Sequence, residues 1–293
     1  MSFTDFVCFG NIRCLFDHFG TGIFEDTWIW QIDPYRTYSE SVFPVQLTIE
    51  NGNMEGPESG MLLREETSGF FCRQVCRNAD GGTNWTYMRK RTGEVYLQYA
   101  VSLQWDRISL ITDHTHTAGH LAFTYLGQMF PYCALKNNML TFHGVLMEYQ
   151  GQGIILSAPS GTGKTTHARL WRDYKNALII NGDRASCYIE KGKWIGCGLP
   201  WSGTSGEQIN RKVPIKAIII LRRDERNQTE YIKGLDAFGA ILPHIQCPVW
   251  DRELSERALE LADDFLRNIP VIRLCCRPDI ESVDVLYKTL YGE

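Results

Sequence analysis

The chain has no apolar run approaching the roughly 18 residues a helix needs to cross a bilayer. No helical membrane span is therefore expected. A basic surplus is also missing. Its 30 Lys and Arg stand against 34 Asp and Glu, for a formal charge of −4. That removes the electrostatic footprint of a nucleic-acid binder. No two Cys-x-x-Cys motifs stand at zinc-site spacing, although there are 10 cysteines. Most of these lie beside apolar residues, as in "VCF", "FFC" and "RLCC". They read as reduced, buried thiols. A chain of 293 residues can build a core without disulfide staples. Repeats and low-complexity segments are absent too. The opening stretch "MSFTDFVCFGNIRC" carries acid early and lacks the shape of a signal peptide. The expectation is a soluble cytoplasmic protein, with no nucleic-acid and no membrane partner.

The length suggests about two domains, or one large one. Residues 1 to about 110 are β-rich. "WTYMRKRTGEVYLQY" (85–99) is a pair of alternating aromatic runs around a turn, a hairpin signal. "PVQLTIENG" and "GFFCRQVCR" read as further strands, and 51–60 as a loop. From 117 to 130 the apolar spacing turns helical. "LTFHGVLMEYQGQGIILSAPSG" is then a strand, a turn and a second strand. "ALIINGDR" is a short buried strand, and a hairpin follows around Lys191 and Gly192. "IKAIIIL" (215–221) is a continuous apolar run, as in a strand covered on both faces. Residues 253–268 form an amphipathic helix. "PVIRLCC" is a last strand, and a last helix opens with Asp279 as candidate cap. The second half mixes strands and helices and reads as α/β. The predicted organisation is a β-rich accessory or recognition region over 1–115 and a nucleotide-binding domain over 116–293.

The chemistry concentrates in "SAPSGTGKTTHARLW", residues 157–171. It has the phosphate-loop arrangement: strand, Gly-rich turn, Lys-Thr, helix. Gly161 and Gly163 let backbone N–H groups turn toward one anion. The helix N-terminus adds its positive end. Lys164 is placed to reach the β- and γ-phosphates. Thr165 is the expected Mg²⁺ ligand, with Thr166 in support. Candidate nucleotide-binding residues are thus Ser160, Gly161, Thr162, Gly163, Lys164, Thr165 and Thr166. One departure stands out: the glycine that usually opens the pattern is Ala158. A negative φ there accommodates alanine, and a positive φ strains it.

The flanks "FHGVLMEYQGQGIILSAPSGTGKTTHARLW" and "IINGDR" resemble the HPr kinase and phosphoenolpyruvate carboxykinase superfamily. Within it, the chain is similar to bacterial HPr-kinase-like proteins with a "GxPWxG" segment, here "GLPWSG" (198–203). Some of these phosphorylate serine in peptide natural-product precursors. The resemblance runs from about 120 to the end. It implies a P-loop carboxykinase-like mixed sheet of the HPr kinase C-terminal type, with ATP and Mg²⁺ as cofactors. By resemblance His143 matches the active-site histidine and Asp183 a metal-binding aspartate. The first aspartate of the family's pair, its candidate base, is Gly182 here. The arginine of its second signature segment falls at Cys197. True HPr kinase activity is therefore not implied.

The expected activity is phosphoryl transfer from ATP to a hydroxyl, serine in a peptide or small protein. His143, Lys164 and Asp183 would be catalytic, and Thr165 and Asp183 would hold the metal. Such transfer needs positioning, charge neutralisation and a path for one proton. Gly182 supports an alternative, a nucleotide-binding regulator or pseudokinase, for which Gly182→Asp is expected to raise transfer. The oligomeric state is left open, a homo-oligomer included. His143 also reads as a satisfied buried histidine, and "NGD" as turn chemistry. His114, His116 and His120 form a tempting metal trio but read as a loop and helix entry. His167 reads as a surface or packing partner of Trp171 at i+4. "LRRDER" (221–226) is either a solvated turn or a basic rim. Trp201 lines an acceptor pocket or belongs to the core.

Overall fold

The structure, a computed structural model, describes residues 5–17, 28, 30–37, 44–51, 60–112 and 116–292. The chain divides into two units. One holds Met1–Asn137 and Pro248–Arg252, and the other holds Asn138–Cys247 and Glu253–Glu293. Both are built on mixed sheets, so the molecule is α/β throughout. Among the described residues no helix is long and apolar enough to cross a membrane.

In the first unit the described strands are β1 (Asp5–Phe9), β2 (Ile12–Asp17), β3 (Leu47–Asn51), β4 (Met61–Ser68), β5 (Phe71–Arg77), β6 (Thr83–Arg89), β7 (Val95–Val101) and β8 (Arg107–Thr112). Their order in the sheet is β1-β2-β3-β8-β7-β6-β5-β4. β4 to β8 form an antiparallel meander, while β3 runs parallel to both β2 and β8. The expected hairpin is the β6–β7 pair, with Trp85 opposite Tyr99. Burial alternates along β6, so Trp85 and Tyr87 point to the core. That face meets α1 (His116–Lys136), where Tyr87 stacks on Tyr125 at 4.1 Å. The sequence grouped α1 with the nucleotide-binding half; its contacts assign it to the β-rich unit. The segment Pro248–Arg252 also returns to this unit. Its Trp250 ring lies 5.7 Å from both Trp85 and Tyr132.

The second unit contains β9 (Met139–Tyr149), β10 (Gln152–Ser157), α2 (Lys164–Lys175), β11 (Leu178–Asn181), β12 (Arg184–Glu190), β13 (Lys193–Cys197), β14 (Lys212–Arg223), β15 (Gln228–Ile232), α3 (Gly234–Ile241), α4 (Arg252–Asn268), β16 (Val271–Cys276) and α5 (Ile280–Tyr291). Two long strands belong to two layers at once. The start of β9 pairs with β12, while its end pairs with β10 and β11. The start of β14 pairs with β13, and its later part runs parallel to β10 and β16. The apolar run 215–221 is thus an interior strand with a parallel neighbour on each side. Its buried residues Ala217, Ile219 and Leu221 join Ile154, Leu156, Trp171 and Leu286 in one core. Asp279 caps α5, accepting from the Ser282 N–H at 3.0 Å.

Candidate active site

The Gly-rich loop connects β10 to α2. Gly161 and Gly163 take φ of 76° and 118°, the left-handed region that side chains disfavour. An added Cβ at either would meet nothing within 4 Å, so φ rather than space demands glycine there. Ala158 is not among the left-handed residues and is fully buried. The departure from the usual pattern therefore carries no backbone strain. Its methyl group is part of the core.

Lys164 opens α2 and is 9% exposed. Its ammonium donates to the Ala158 carbonyl at 2.7 Å and to the Pro159 carbonyl at 3.4 Å. It also lies 3.2 Å from His143 Nε2. An ammonium has no lone pair, so Nε2 accepts. Nδ1 then carries the proton and faces Asp183 Oδ1 at 3.4 Å. Asp183, His143 and Lys164 stand in one line. Burial and the neighbouring Lys164 charge hold the His143 pKa below its ordinary value, against the pull of Asp183. Burial likewise lowers the Lys164 pKa.

Three elements converge to build that line. His143 lies at the middle of β9, opposite Arg184 of β12. Its carbonyl accepts from Ser157 Oγ at 2.8 Å, at the end of β10. The Gly144 N–H donates to the Asp183 carbonyl at 2.9 Å. Asn181 sets the aim of Asp183: its Oδ1 accepts from the N–H groups of Asp183 (3.0 Å) and Arg184 (2.7 Å). This is an Asx turn. The turn chemistry expected of "NGD" is thus present at Asn181. Asn181 Nδ2 also donates to the carbonyls of Leu199 and Trp201, binding "GLPWSG" to the turn. Trp201 itself is buried.

Gly182 is closely covered. A Cβ built there would lie 2.1 Å from Ser205 Oγ and 2.7 Å from Ser205 Cβ. Ser205 is fixed in turn, donating to the Ser202 carbonyl at 2.7 Å. The Gly182 N–H donates to the Glu207 carbonyl at 3.0 Å. The expectation that Gly182→Asp restores a carboxylate base is corrected on this geometry: the space is already taken.

No family model matches the sequence, and no curated protein matches it. Among solved structures, the HPr(Ser) kinase/phosphatase from Coxiella burnetii is similar at 13% identity, with a TM-score of 0.30. The match covers 52% of this chain and 88% of that one.

Sequence reasoning missed two residues here. His244 is buried in the short turn Leu242–His244. The next residue, Ile245, bridges Phe142, and the Gln246 N–H donates to the Thr141 carbonyl at 2.8 Å. That pairing sets His244 beside the His143 strand. Burial first, then the charges of Lys164 and His143, lower its pKa. The second is Arg223, at the end of β14. It donates to the Thr162 carbonyl at 3.2 Å and to the Gly161 carbonyl, bracing the loop from outside. In "LRRDER", residues 222–226 are exposed, and Arg223 is engaged with loop carbonyls.

Other expectations resolve briefly. His167 is 2% exposed rather than on the surface, with Nδ1 3.4 Å from Ser282 Oγ. Burial pushes its pKa down to about 4. His114 and the side chain of His116 lie outside the described residues, and His120 is exposed. Among the described residues no cluster of three His, Cys, Asp or Glu could hold a metal. The ten cysteines form no disulfide; Cys14, Cys133, Cys187 and Cys197 are buried as expected, and the other six are only partly buried. Cys197 is fully buried, and burial pushes its pKa up to about 12.

Proposed function

We propose that residues 160–166 bind ATP with Mg²⁺ and that the chain transfers the γ-phosphoryl group to a hydroxyl. The acceptor class we favour is a serine in a peptide or small protein, with the β-rich unit as recognition region. The observation that carries this reading is the Asp183–His143–Lys164 line at the head of a glycine-turned loop. The sequence resemblance to HPr-kinase-like proteins, and to their carboxykinase-like sheet, agrees with it.

Lys164 now satisfies its charge on the carbonyls of Ala158 and Pro159. A triphosphate in the loop competes for that ammonium, since charge-assisted bonds to phosphate outrank bonds to neutral carbonyls. Turning Lys164 toward phosphate releases His143 Nε2. That nitrogen then accepts the proton of the incoming hydroxyl, while Asp183 steadies Nδ1–H. The new bond joins the acceptor oxygen to the γ-phosphorus, the bond from phosphorus to the β-bridging oxygen breaks, and ADP leaves. His143, with its depressed pKa, is neutral and ready at neutral pH. Few protein ligands suit Mg²⁺, which keeps waters and substrate phosphates around it. The Thr165 hydroxyl and Asp183 Oδ2 are a donor set of that kind. The ion would neutralise charge developing on the transferred group.

A second reading, a nucleotide-binding regulator, draws on Gly182, where Ser205 fills the space of the family's first carboxylate. A ³¹P NMR time course of ATP and Mg²⁺ with near-stoichiometric protein separates the two. Phosphate signals that shift or broaden, and do so less with Lys164→Ala, support the loop. ADP formation on adding candidate serine peptides supports the kinase. Binding with ATP intact across the peptides favours the regulator, and unshifted signals reject both.

A further inference from the structure

His143 has a neighbour on each edge of β9. On one edge Arg184 of β12 stands opposite it. On the other edge the chain returns after α3. There the Gln246 N–H donates to the Thr141 carbonyl, and Ile245 bridges Phe142 antiparallel. The next pair in that register is His244 with His143. Opposed residues of an antiparallel pair show their side chains on one face, with Cβ atoms about 5 Å apart. Lys164 and His143 are accordingly the two titratable side chains that act on the His244 ring. A second imidazole thus shares the head of the Gly-rich loop with the first.

His244 differs from its surroundings in one respect. Lys164 is held by the carbonyls of Ala158 and Pro159. Asp183 faces His143 Nδ1 and, at 4.0 Å, Arg184 Nε. Ser157 Oγ is engaged with the His143 carbonyl. His244 is only 8% exposed, yet neither ring nitrogen has a hydrogen-bond partner among the described residues. Nor are these nitrogens among the sealed, unpartnered atoms of the interior, as His167 Nε2 is. They stay open to solvent. A buried polar side chain with unmet groups calls for a reason. Burial and the two neighbours keep the ring neutral, with one N–H donor and one acceptor.

The transfer step has a place for such a group. The acceptor hydroxyl gives its only proton to His143 Nε2. Its oxygen then offers lone pairs alone, so a second side chain can reach it only as a donor. We propose that the His244 N–H donates to the acceptor oxygen and holds it for attack on the γ-phosphorus. His244 keeps its own proton throughout. The hydroxyl proton passes to His143, the oxygen–phosphorus bond forms, and the bond to the β-bridging oxygen breaks. The arrangement also selects the acceptor class. A hydroxyl both accepts and donates, whereas the ammonium of a lysine has no lone pair to offer His244. The inference rests on the transfer reading and adds an acceptor-side residue to it.

ADP formation from ATP and Mg²⁺ tests it, on the full chain, with water and N-acetylserinamide as acceptors. His244→Phe should slow ADP formation about tenfold, as loss of one neutral hydrogen bond would. Its affinity for inorganic tripolyphosphate should not change. Asn and Gln place an amide N–H near the positions of Nδ1 and Nε2. His244→Asn or His244→Gln should therefore keep most of the rate, naming the nitrogen that donates. Added imidazole should restore His244→Ala. A His244→Phe variant at the full rate overturns the inference. So does a loss that neither amide nor imidazole recovers, which marks a packing role. A second measurement uses the unaltered chain with labelled histidine nitrogens, Mg²⁺ and a non-hydrolysable ATP analogue. The His244 N–H signal should shift when N-acetylserinamide is added. A signal that stays in place overturns the inference whether or not the variants fold. The broader reading fails differently. If neither ATP nor tripolyphosphate binds, the loop reading falls; if ATP binds but neither acceptor yields ADP, the transfer reading falls. This inference falls with either.

Discussion

Glycine is required in this loop where the backbone turns left, at Gly161 and Gly163, and not at 158. Ala158 contributes a methyl group to a packed core instead. Ala158→Gly should therefore lower stability by about 0.5–1 kcal/mol, through the freer unfolded chain and the lost methyl. Urea denaturation would measure that, and tripolyphosphate affinity should not change. Gly182 obeys the opposite constraint, because any side chain there meets Ser205. Gly182→Asp should cost about 1–3 kcal/mol as an overpacked site and should not accelerate ADP formation. Adding Ser205→Gly should recover part of the melting temperature. A single Gly182→Asp variant that melts normally and turns over faster would refute this account of the position.

Elements carry the site by pairing, and Asn181 is where three of them meet. It orders the Asx turn before β12 and holds the carbonyls of Leu199 and Trp201. Asn181→Ala abandons four hydrogen bonds in a buried setting. A loss of at least about 2 kcal/mol is expected, together with loss of transfer as Asp183 loses its aim. Asn181→Asp keeps the Oδ1 acceptor but turns the Nδ2 donor into a second oxygen facing two carbonyls. It should be no milder, and thermal melts of the two variants would rank them. Much of this site was legible in the sequence because it is local. The strand, Gly-rich turn, Lys-Thr and helix follow one another within a single stretch, and the β9–β10 turn at Gln150 and Gly151 is a local signal too. What was not legible depends on pairing across the fold. Arg223 meets the loop from 61 positions away. His167 was read against Trp171, one helical turn on, but its polar partner Ser282 stands 115 positions away. Ser205 under Gly182 and His244 beside His143 leave no mark on spacing or periodicity at all.

At the scale of the molecule, three histidines, His167 and His244 buried and His143 partly exposed, tie stability to pH. His143, His167 and His244 all have folded-state pKa values below the ordinary value of 6.5. Below that value the unfolded chain takes up protons that the folded chain refuses, so stability falls as pH drops. For His167 the window runs from 6.5 down to about 4. Its full cost is on the order of 3 kcal/mol. The urea midpoint should accordingly decline between pH 7 and pH 5, and His167→Phe should flatten the decline. A midpoint independent of pH over that interval would contradict these burials. The path of the chain has a consequence of another kind. Because Pro248–Arg252 leaves the second unit to join the β-rich one, the two units are tied by more than one strand of chain. A protease cutting once near residue 137 would leave them covalently linked. A gene truncated to begin at Asn138 would still encode Trp250 without Trp85 and Tyr132, baring an indole to water and to neighbouring molecules. The halves of this protein are separable on paper by their contacts, but not by scissors.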